Sequence, residues 1–198
     1  MFVTFEGLDG SGKTTQVERL RAALEAEGRE VVTAREPGET ALGEKIRDLV
    51  LHDVGMTPWA EALLYAASRA ELVAEVVRPA LARGADVLLD RYLDSSVVYQ
   101  GIGRGLGADE VLEVNLLATG GLLPDRTFVL AVDPGASLGR VGDRPDRIER
   151  EDAAFHARVA EGYERLASLF PDRVVVLDGS LDPDALAARI LDELRRAV

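Results

Sequence analysis

The chain contains no cysteine, which removes disulfide frameworks, thiolate zinc sites and cysteine nucleophiles together. No run approaches the roughly 18 apolar residues that a membrane-spanning helix needs. The opening segment, MFVTFEGLDG, carries neither the basic region nor the apolar stretch of a secretion signal. The expectation is a cytoplasmic chain with no membrane partner. Basic charge is scarce and lopsided: 23 Lys and Arg stand against 35 Asp and Glu, the formal net charge is −12, and Lys13 and Lys45 are the only lysines. Such a chain is a poor binder of nucleic acid polymers, whose affinity rests on clustered Lys and Arg. Any phosphate site has to be built locally, against the field of the whole molecule. Amides are scarcer still, with Asn115 the only asparagine and Gln16 and Gln100 the only glutamines. Few amides and no cysteine fit a thermophile; a GC-rich genome, favouring Ala, Arg, Gly and Leu codons, fits the same composition.

What remains is globular. The 198 residues are 47% hydrophobic and 29% charged, enough chain for one ordinary domain with a real core. Short β-branched runs at 2–5, 30–34, 86–90, 127–132 and 173–177 read as buried strands. Between them lie helical patterns at 13–27, about 42–51, about 57–83 with Pro79 as a kink or break, 108–118, 152–169 and 182–197. Strand alternating with helix predicts a doubly wound α/β fold around a five-stranded parallel sheet. With no internal repeat, low-complexity tract or linker, residues 1–198 are expected to form a single domain.

One segment carries chemistry outright. Gly7-Leu-Asp-Gly-Ser-Gly-Lys-Thr14 matches G-x-x-x-x-G-K-[ST] without a mismatch, between an expected strand and an expected helix. Gly7, Gly10 and Gly12 let the backbone wrap so that successive N–H groups face phosphate oxygens, and Ser11 and Thr15 count with them as ATP-binding positions. The following helix presents its positive end to the same place. Lys13 reaches the β- and γ-phosphates, and the Thr14 hydroxyl can ligate Mg²⁺. ATP binding with Mg²⁺ follows.

The third strand runs Val87-Leu-Leu-Asp90 straight into Arg91. An acid at the carboxyl end of a strand beside the phosphate loop can order Mg²⁺, and an arginine next to it can grip a second phosphate. A switch GTPase would need Asn-Lys-x-Asp, but Asn115 is followed by Leu-Leu. The pair points to phosphoryl transfer between two nucleotides. Segment 134–152 is dense in Gly, Pro and charge, with Arg140, Arg144, Arg147 and Arg150 within eleven residues. It reads either as a solvated loop or, over about 139–152, as a lid that closes arginines over a phosphate.

In order and spacing these motifs resemble the thymidylate kinase (dTMP kinase) family of the bacterial type. The motifs are Phe5-Glu-Gly-Leu-Asp-Gly-Ser-Gly-Lys-Thr-Thr15, Arg35-Glu-Pro-Gly38, Leu64-Tyr-Ala-Ala-Ser-Arg69, Asp90-Arg-Tyr-Leu-Asp-Ser-Ser-Val-Val-Tyr-Gln-Gly101, Pro124-Asp-Arg-Thr127 and Asp146-Arg-Ile-Glu149. The resemblance covers nearly the whole chain. It implies that Asp9 touches the 3′-hydroxyl of dTMP, that Arg91 and Arg47 clamp its 5′-phosphate, and that Asp90 orders the Mg²⁺ shell. It implies Tyr65 stacked on the thymine ring, and Arg69, Ser96 and Gln100 at the polar edge of the base with Ser68 nearby. It places Tyr99 against the sugar, crowding out a 2′-hydroxyl, and Glu36 near the reacting centre. It further implies a homodimer packed through helices from the middle of the chain, for which the apolar 57–83 and 108–118 segments are candidates. The lid departs from the family: it reads Gly139-Arg-Val-Gly-Asp-Arg-Pro-Asp-Arg147, where bacterial relatives often have an arginine run ending in Arg-Gly-Glu. Either Arg140 or Arg144 then meets the charge on the transferred group, with Arg144 the expected one. Two other functions stay open from the residues: a kinase for another nucleoside monophosphate, and an ATP-binding regulatory module that transfers nothing.

Overall fold

The computed structural model describes residues 1–52, 55–139 and 145–196. The five β-branched runs form strands β1 (Phe2–Glu6), β2 (Val31–Arg35), β3 (Asp86–Asp90), β4 (Arg126–Ala131) and β5 (Val174–Asp178), each within one residue of expectation. All neighbouring pairs are parallel, in the order β2-β3-β1-β4-β5. Side chains alternate between faces as the pleat requires. Val3, Phe5, Leu88, Phe128 and Leu130 point to one side, where they pack with helices α1 (Lys13–Ala26) and α9 (Pro183–Arg196). Phe2, Val87 and Leu89 point to the other, and Val129 joins them there in a neighbouring cluster. That second face is covered by α2 (Ala41–His52), α3 (Pro58–Leu72), α4 (Arg78–Ala82), α6 (Ala108–Thr119) and α8 (Ala153–Leu169). A sheet buried on both faces explains why its strands read as nearly unbroken apolar runs.

Two helical stretches differ from expectation. The 57–83 pattern does not stop at Pro79: a π-helical segment, Val73–Val77, joins α3 to α4. The Arg78 N–H reaches back to the Val73 carbonyl, and this wider turn relieves the clash a proline ring makes with the carbonyl one α-turn earlier. The second is a helix that periodicity did not reveal. Residues 93–103 form α5 (Leu93–Ser96) running into a π-helical segment, Val97–Gly103. Asp94-Ser95-Ser96 and the glycines Gly101 and Gly103 disguise it in the sequence. Gly103 is needed for packing, since a Cβ there would sit 2.8 Å from Phe155 Cε2. A short helix, α7 (Pro134–Leu138), follows β4.

Parallel strands bring all carboxyl ends to one edge of the sheet. β1 lies between β3 and β4, so the loop after β1 and the residues after β3 emerge side by side, where open α/β sheets bind ligands.

Candidate active site

The phosphate loop is shaped by glycines at positive φ: Gly7 (134°), Gly10 (75°) and Gly12 (93°). Gly7 also passes close to the neighbouring strand, where a Cβ would meet the Leu130 carbonyl oxygen at 2.6 Å. Lys13 opens α1 and is buried; its Nζ donates to the carbonyls of Leu8 (2.8 Å) and Gly7 (3.2 Å). Burial, helped by Arg91, pulls the Lys13 ammonium down to about 8, while Asp9, Asp90 and Glu6 oppose the shift. The ammonium is thus held on weak carbonyl partners that a phosphate can displace. The Thr14 hydroxyl donates to Asp90 Oδ2 at 2.6 Å, joining α1 to the end of β3.

Arg91 adopts φ 73°, a left-handed conformation that costs a non-glycine residue about 1–2 kcal/mol. Its guanidinium is held by several partners. Nη2 pairs with Asp9 Oδ1 at 2.5 Å, while Nη1 donates to the Gly7 carbonyl (3.0 Å) and to Ser95 Oγ (3.1 Å). It also lies 5.2 Å from the Tyr99 ring centroid. Burial pushes the Asp9 carboxyl up, but Arg91 and Lys13 outweigh it, and Asp9 stays below the usual carboxylate range.

These groups share one cavity of about 500 Å³. Of the residues singled out from the sequence, Asp9, Gly10, Gly12, Lys13, Thr14, Thr15, Glu36, Arg47, Tyr65, Asp90, Arg91, Ser96, Tyr99 and Gln100 line it. Arg47 projects from α2, its Nη1 on the Pro37 carbonyl at 2.9 Å. Tyr65 stands on α3, and Ser96, Tyr99 and Gln100 on the stretch 93–103.

Gly7, Ser11, Ser68 and Arg69 do not line the cavity. Gly7 contributes its carbonyl to Lys13 and Arg91. Ser11 is buried with its N–H on the Leu8 carbonyl, and Ser68 is buried with no partner for its hydroxyl among the described residues. Arg69 is only 1% exposed. A guanidinium has five N–H donors, and here they go to Glu36 Oε2 from Nε (2.7 Å) and Nη2 (2.5 Å), to Ser96 Oγ (3.0 Å), to Asn115 Oδ1 and to the Tyr92 carbonyl (3.1 Å). In this structure the donors of Arg69 are used inside the protein, and it braces Ser96 and Glu36, which do face the cavity. Burial pushes the Glu36 carboxyl up even against this guanidinium. Arg140 and Arg144, the lid arginines, lie outside the described residues.

Sequence reading missed several contributors. Arg35, Pro37, Ser95, Asp146 and Ile148 also line the cavity; each sits inside a motif already quoted, so adjacency was the available signal. Two buried carboxylates stand behind the wall. Glu6, fully buried at the end of β1, accepts from the Tyr92 and Ser95 N–H groups and from the hydroxyls of Ser95 and Tyr163. Burial pushes its carboxyl up, and Asp94 adds to the shift. A charged residue closing an apolar strand was the hint. Glu61 on α3 gave no comparable hint.

The family profile described as "Thymidylate kinase" matches residues 5–190. The chain belongs to the thymidylate kinase family. Curated thymidylate kinases resemble it along almost their full length. That of Bifidobacterium longum strain DJO10A is 50% identical, over 98% of this chain and 97% of its own. Those of Gloeobacter violaceus and Clavibacter michiganensis subsp. michiganensis are 52% and 53% identical, each over 96% of this chain and 92% of its own. The fold agrees: the crystal structure of thymidylate kinase from Ehrlichia chaffeensis superposes with a TM-score of 0.81 at 32% identity, covering 98% of both chains. Among the described residues no helix is long and apolar enough to cross a membrane.

Proposed function

We propose that this protein transfers the γ-phosphoryl group of ATP to dTMP, giving dTDP and ADP, a step in dTTP synthesis. The observation that carries the proposal is one cleft lined by cations from three separate elements, Lys13 of the phosphate loop, Arg91 after β3 and Arg47 of α2. These cations stand among acids of the same lining, Asp9, Glu36, Asp90 and Asp146; three cations brought to one cavity of a molecule of net charge −12 suit two facing phosphates. A module that held ATP alone would need only Lys13.

In this reading the 5′-phosphate of dTMP, clamped by Arg91 and Arg47, attacks the γ-phosphorus in line. A phosphate dianion is already a nucleophile, so no general base is required, and catalysis is positioning plus charge stabilisation. Asp9, tied to Arg91, holds that arginine in register and meets the 3′-hydroxyl. Tyr65 stacks on the thymine ring, Ser96 and Gln100 meet its polar edge, and Tyr99 lies on the sugar and crowds out a 2′-hydroxyl. Glu36 stands near the reacting centre, braced by Arg69. Residues 139–152 serve as a lid within a single domain, with Arg144 brought over the transferred group.

The donor set fits magnesium. Thr14 and Asp90 present a hydroxyl and a carboxylate 2.6 Å apart, both hard oxygen donors. Among the described residues no group of three or more His, Asp or Glu could hold a metal by itself, which suits an ion bound largely by phosphates and water. When bound it neutralises charge on the β- and γ-phosphates. The enzyme works in the cytoplasm as a homodimer, joined through α2, α3 and α6, where Leu42, Leu49, Trp59, Leu63 and Leu117 are exposed.

The test is ADP release from Mg²⁺-ATP with dTMP, dUMP, ribosyl-TMP, dCMP, dGMP and AMP in separate reactions. Strong dependence on dTMP, weaker on dUMP and weakest on the ribose form is expected. Preference for another acceptor would overturn the base assignment, and no acceptor dependence would overturn the transferase.

A further inference from the structure

Gln100 does not stand alone in the wall of the cleft. Its Nε2 donates to Glu61 Oε1 at 2.8 Å. Glu61 is itself 1% exposed and sits in a ring of donors. Oε1 also takes Arg104 Nε (3.3 Å), and Oε2 takes Arg147 Nη1 (2.7 Å) and Arg104 Nη2 (3.2 Å). A carboxylate only accepts, whereas an amide has one donating and one accepting end. With a carboxylate behind it, Gln100 has one allowed orientation: NH₂ toward Glu61, carbonyl oxygen available to the cleft that Gln100 lines. Were the charge of Glu61 absent, Arg104 and Arg147 would draw the amide oxygen the other way.

We propose that Glu61 is a positioning residue that sets base specificity by locking the Gln100 amide with its oxygen facing the acceptor base. This rests on the reading above that Gln100 meets the base edge. A fixed acceptor demands a donor from the ligand. Thymine and uracil carry N–H at N3, whereas cytosine presents a bare N3 lone pair there and an amine in place of O4. Against cytosine the locked oxygen meets a lone pair and both groups stay unsatisfied, which is how polar sites reject a near-isostere most strongly. Glu61 touches no substrate in this scheme and acts only through Gln100.

The experiment compares kcat/KM for dTMP and dCMP in the wild type, Glu61→Gln, Glu61→Asp, Gln100→Leu and Glu61→Gln/Gln100→Leu. Glu61→Gln gives Gln100 a partner that can donate as well as accept, so the dTMP:dCMP ratio is expected to narrow by about tenfold or more, with KM for ATP unchanged. Gln100→Leu is expected to narrow it as well, and adding Glu61→Gln to Gln100→Leu should change it no further. Glu61→Asp keeps the charge for the two arginines but withdraws it by one bond from Gln100; a severalfold narrowing is expected, and this arm decides the matter should Glu61→Gln not fold. A merely structural Glu61 would lower both acceptors alike, and an unchanged ratio in Glu61→Gln and Glu61→Asp overturns the proposal. A wild type that uses dCMP as well as dTMP, or an unchanged ratio in Gln100→Leu, overturns the underlying base reading instead.

Discussion

Lys13 illustrates how a charged side chain can be buried and still be ready for work. Its stem runs along the loop, its ammonium rests on two carbonyls, and burial holds it near a value of about 8. Lys13→Met keeps the stem and removes the charge. It is expected to lower dTMP-dependent ADP release by at least about 10²–10³-fold, with the thermal midpoint at or above wild type, because an expensive buried charge is gone. Full activity would sink the mechanism. Arg69 is the opposite case, a charge whose removal leaves a partner stranded. Arg69→Ala leaves Glu36 buried without its guanidinium, a change that costs about 3–5 kcal/mol and should be read in urea midpoints. In whatever fraction folds, discrimination among acceptor bases should suffer more than KM for ATP, because Ser96 loses its brace. Glu6 supplies a test in pH. Its carboxyl is raised in the folded chain, so above the ordinary value the folded state holds more proton than the unfolded one. Wild-type stability attributable to Glu6 therefore declines as pH rises through that window. Glu6→Gln cannot ionise, and its urea midpoint should gain on wild type as pH rises above the ordinary carboxylate range; a constant difference would count against this account.

Among the elements, the two π-helical stretches stand out. Val73–Val77 lets a proline ride inside a long helix, and Val97–Gly103 carries Tyr99 and Gln100 into the cleft. The second is wedged against α8. A Cβ on Gly162 would approach Val98 Cγ1 at 2.9 Å and Ile102 Cδ1 at 3.1 Å. Two effects compete in Gly162→Ala. Replacing a mid-helix glycine contributes about 1 kcal/mol of helix propensity, while overpacking a tight seam costs about 1–3 kcal/mol. The seam is expected to win, lowering stability by roughly 1 kcal/mol and raising KM for dTMP more than KM for ATP. A stabilised variant with unchanged KM values would show that the seam can yield. Arg147 is tied to α2 and α3, the helices that carry Arg47 and Tyr65, its Nε on the Val50 carbonyl and its Nη1 on Glu61.

The molecule as a whole carries −12, yet gathers Lys13, Arg47 and Arg91 around one cavity. Substrates are anions, so the global field opposes approach and the site must outcompete it over short range. Elsewhere the surface shows large apolar side chains on helices packed α2 on α3 and α3 on α6, with Leu117 84% exposed and Leu63 53% exposed. Scattered exposed leucines are ordinary, and the proposed homodimer would cover the ones on these adjoining helices. Leu63→Glu combined with Leu117→Glu is expected to shift sedimentation velocity from dimer to monomer, with the monomer's circular dichroism spectrum unchanged. A wild type that already sediments as a monomer would remove the homodimer from the account.

Composition and short-range pattern were enough to establish the strands, the parallel α/β arrangement and the phosphate loop. Each depends on neighbours along the chain: β-branched residues in short runs, glycines where φ must be positive, a lysine and a threonine opening a helix. The wall of the cleft could not be read that way. Glu61 meets Gln100 from 39 residues away and Arg147 from 86, and Arg69 meets Glu36 from 33. Nothing in the spacing of either partner announces the other. The same holds for burial: Arg69 reads as a surface arginine in its helix, and becomes a core residue only because β2, α5 and α6 close around it with an acceptor for every donor. Helix 93–103 was hidden because its glycines and serines answer to packing against α8 rather than to local propensity. Local rules set what the backbone does; which buried polar groups find one another is settled when the layers pack, because an unpaired charge or amide there costs more than any local preference can offset.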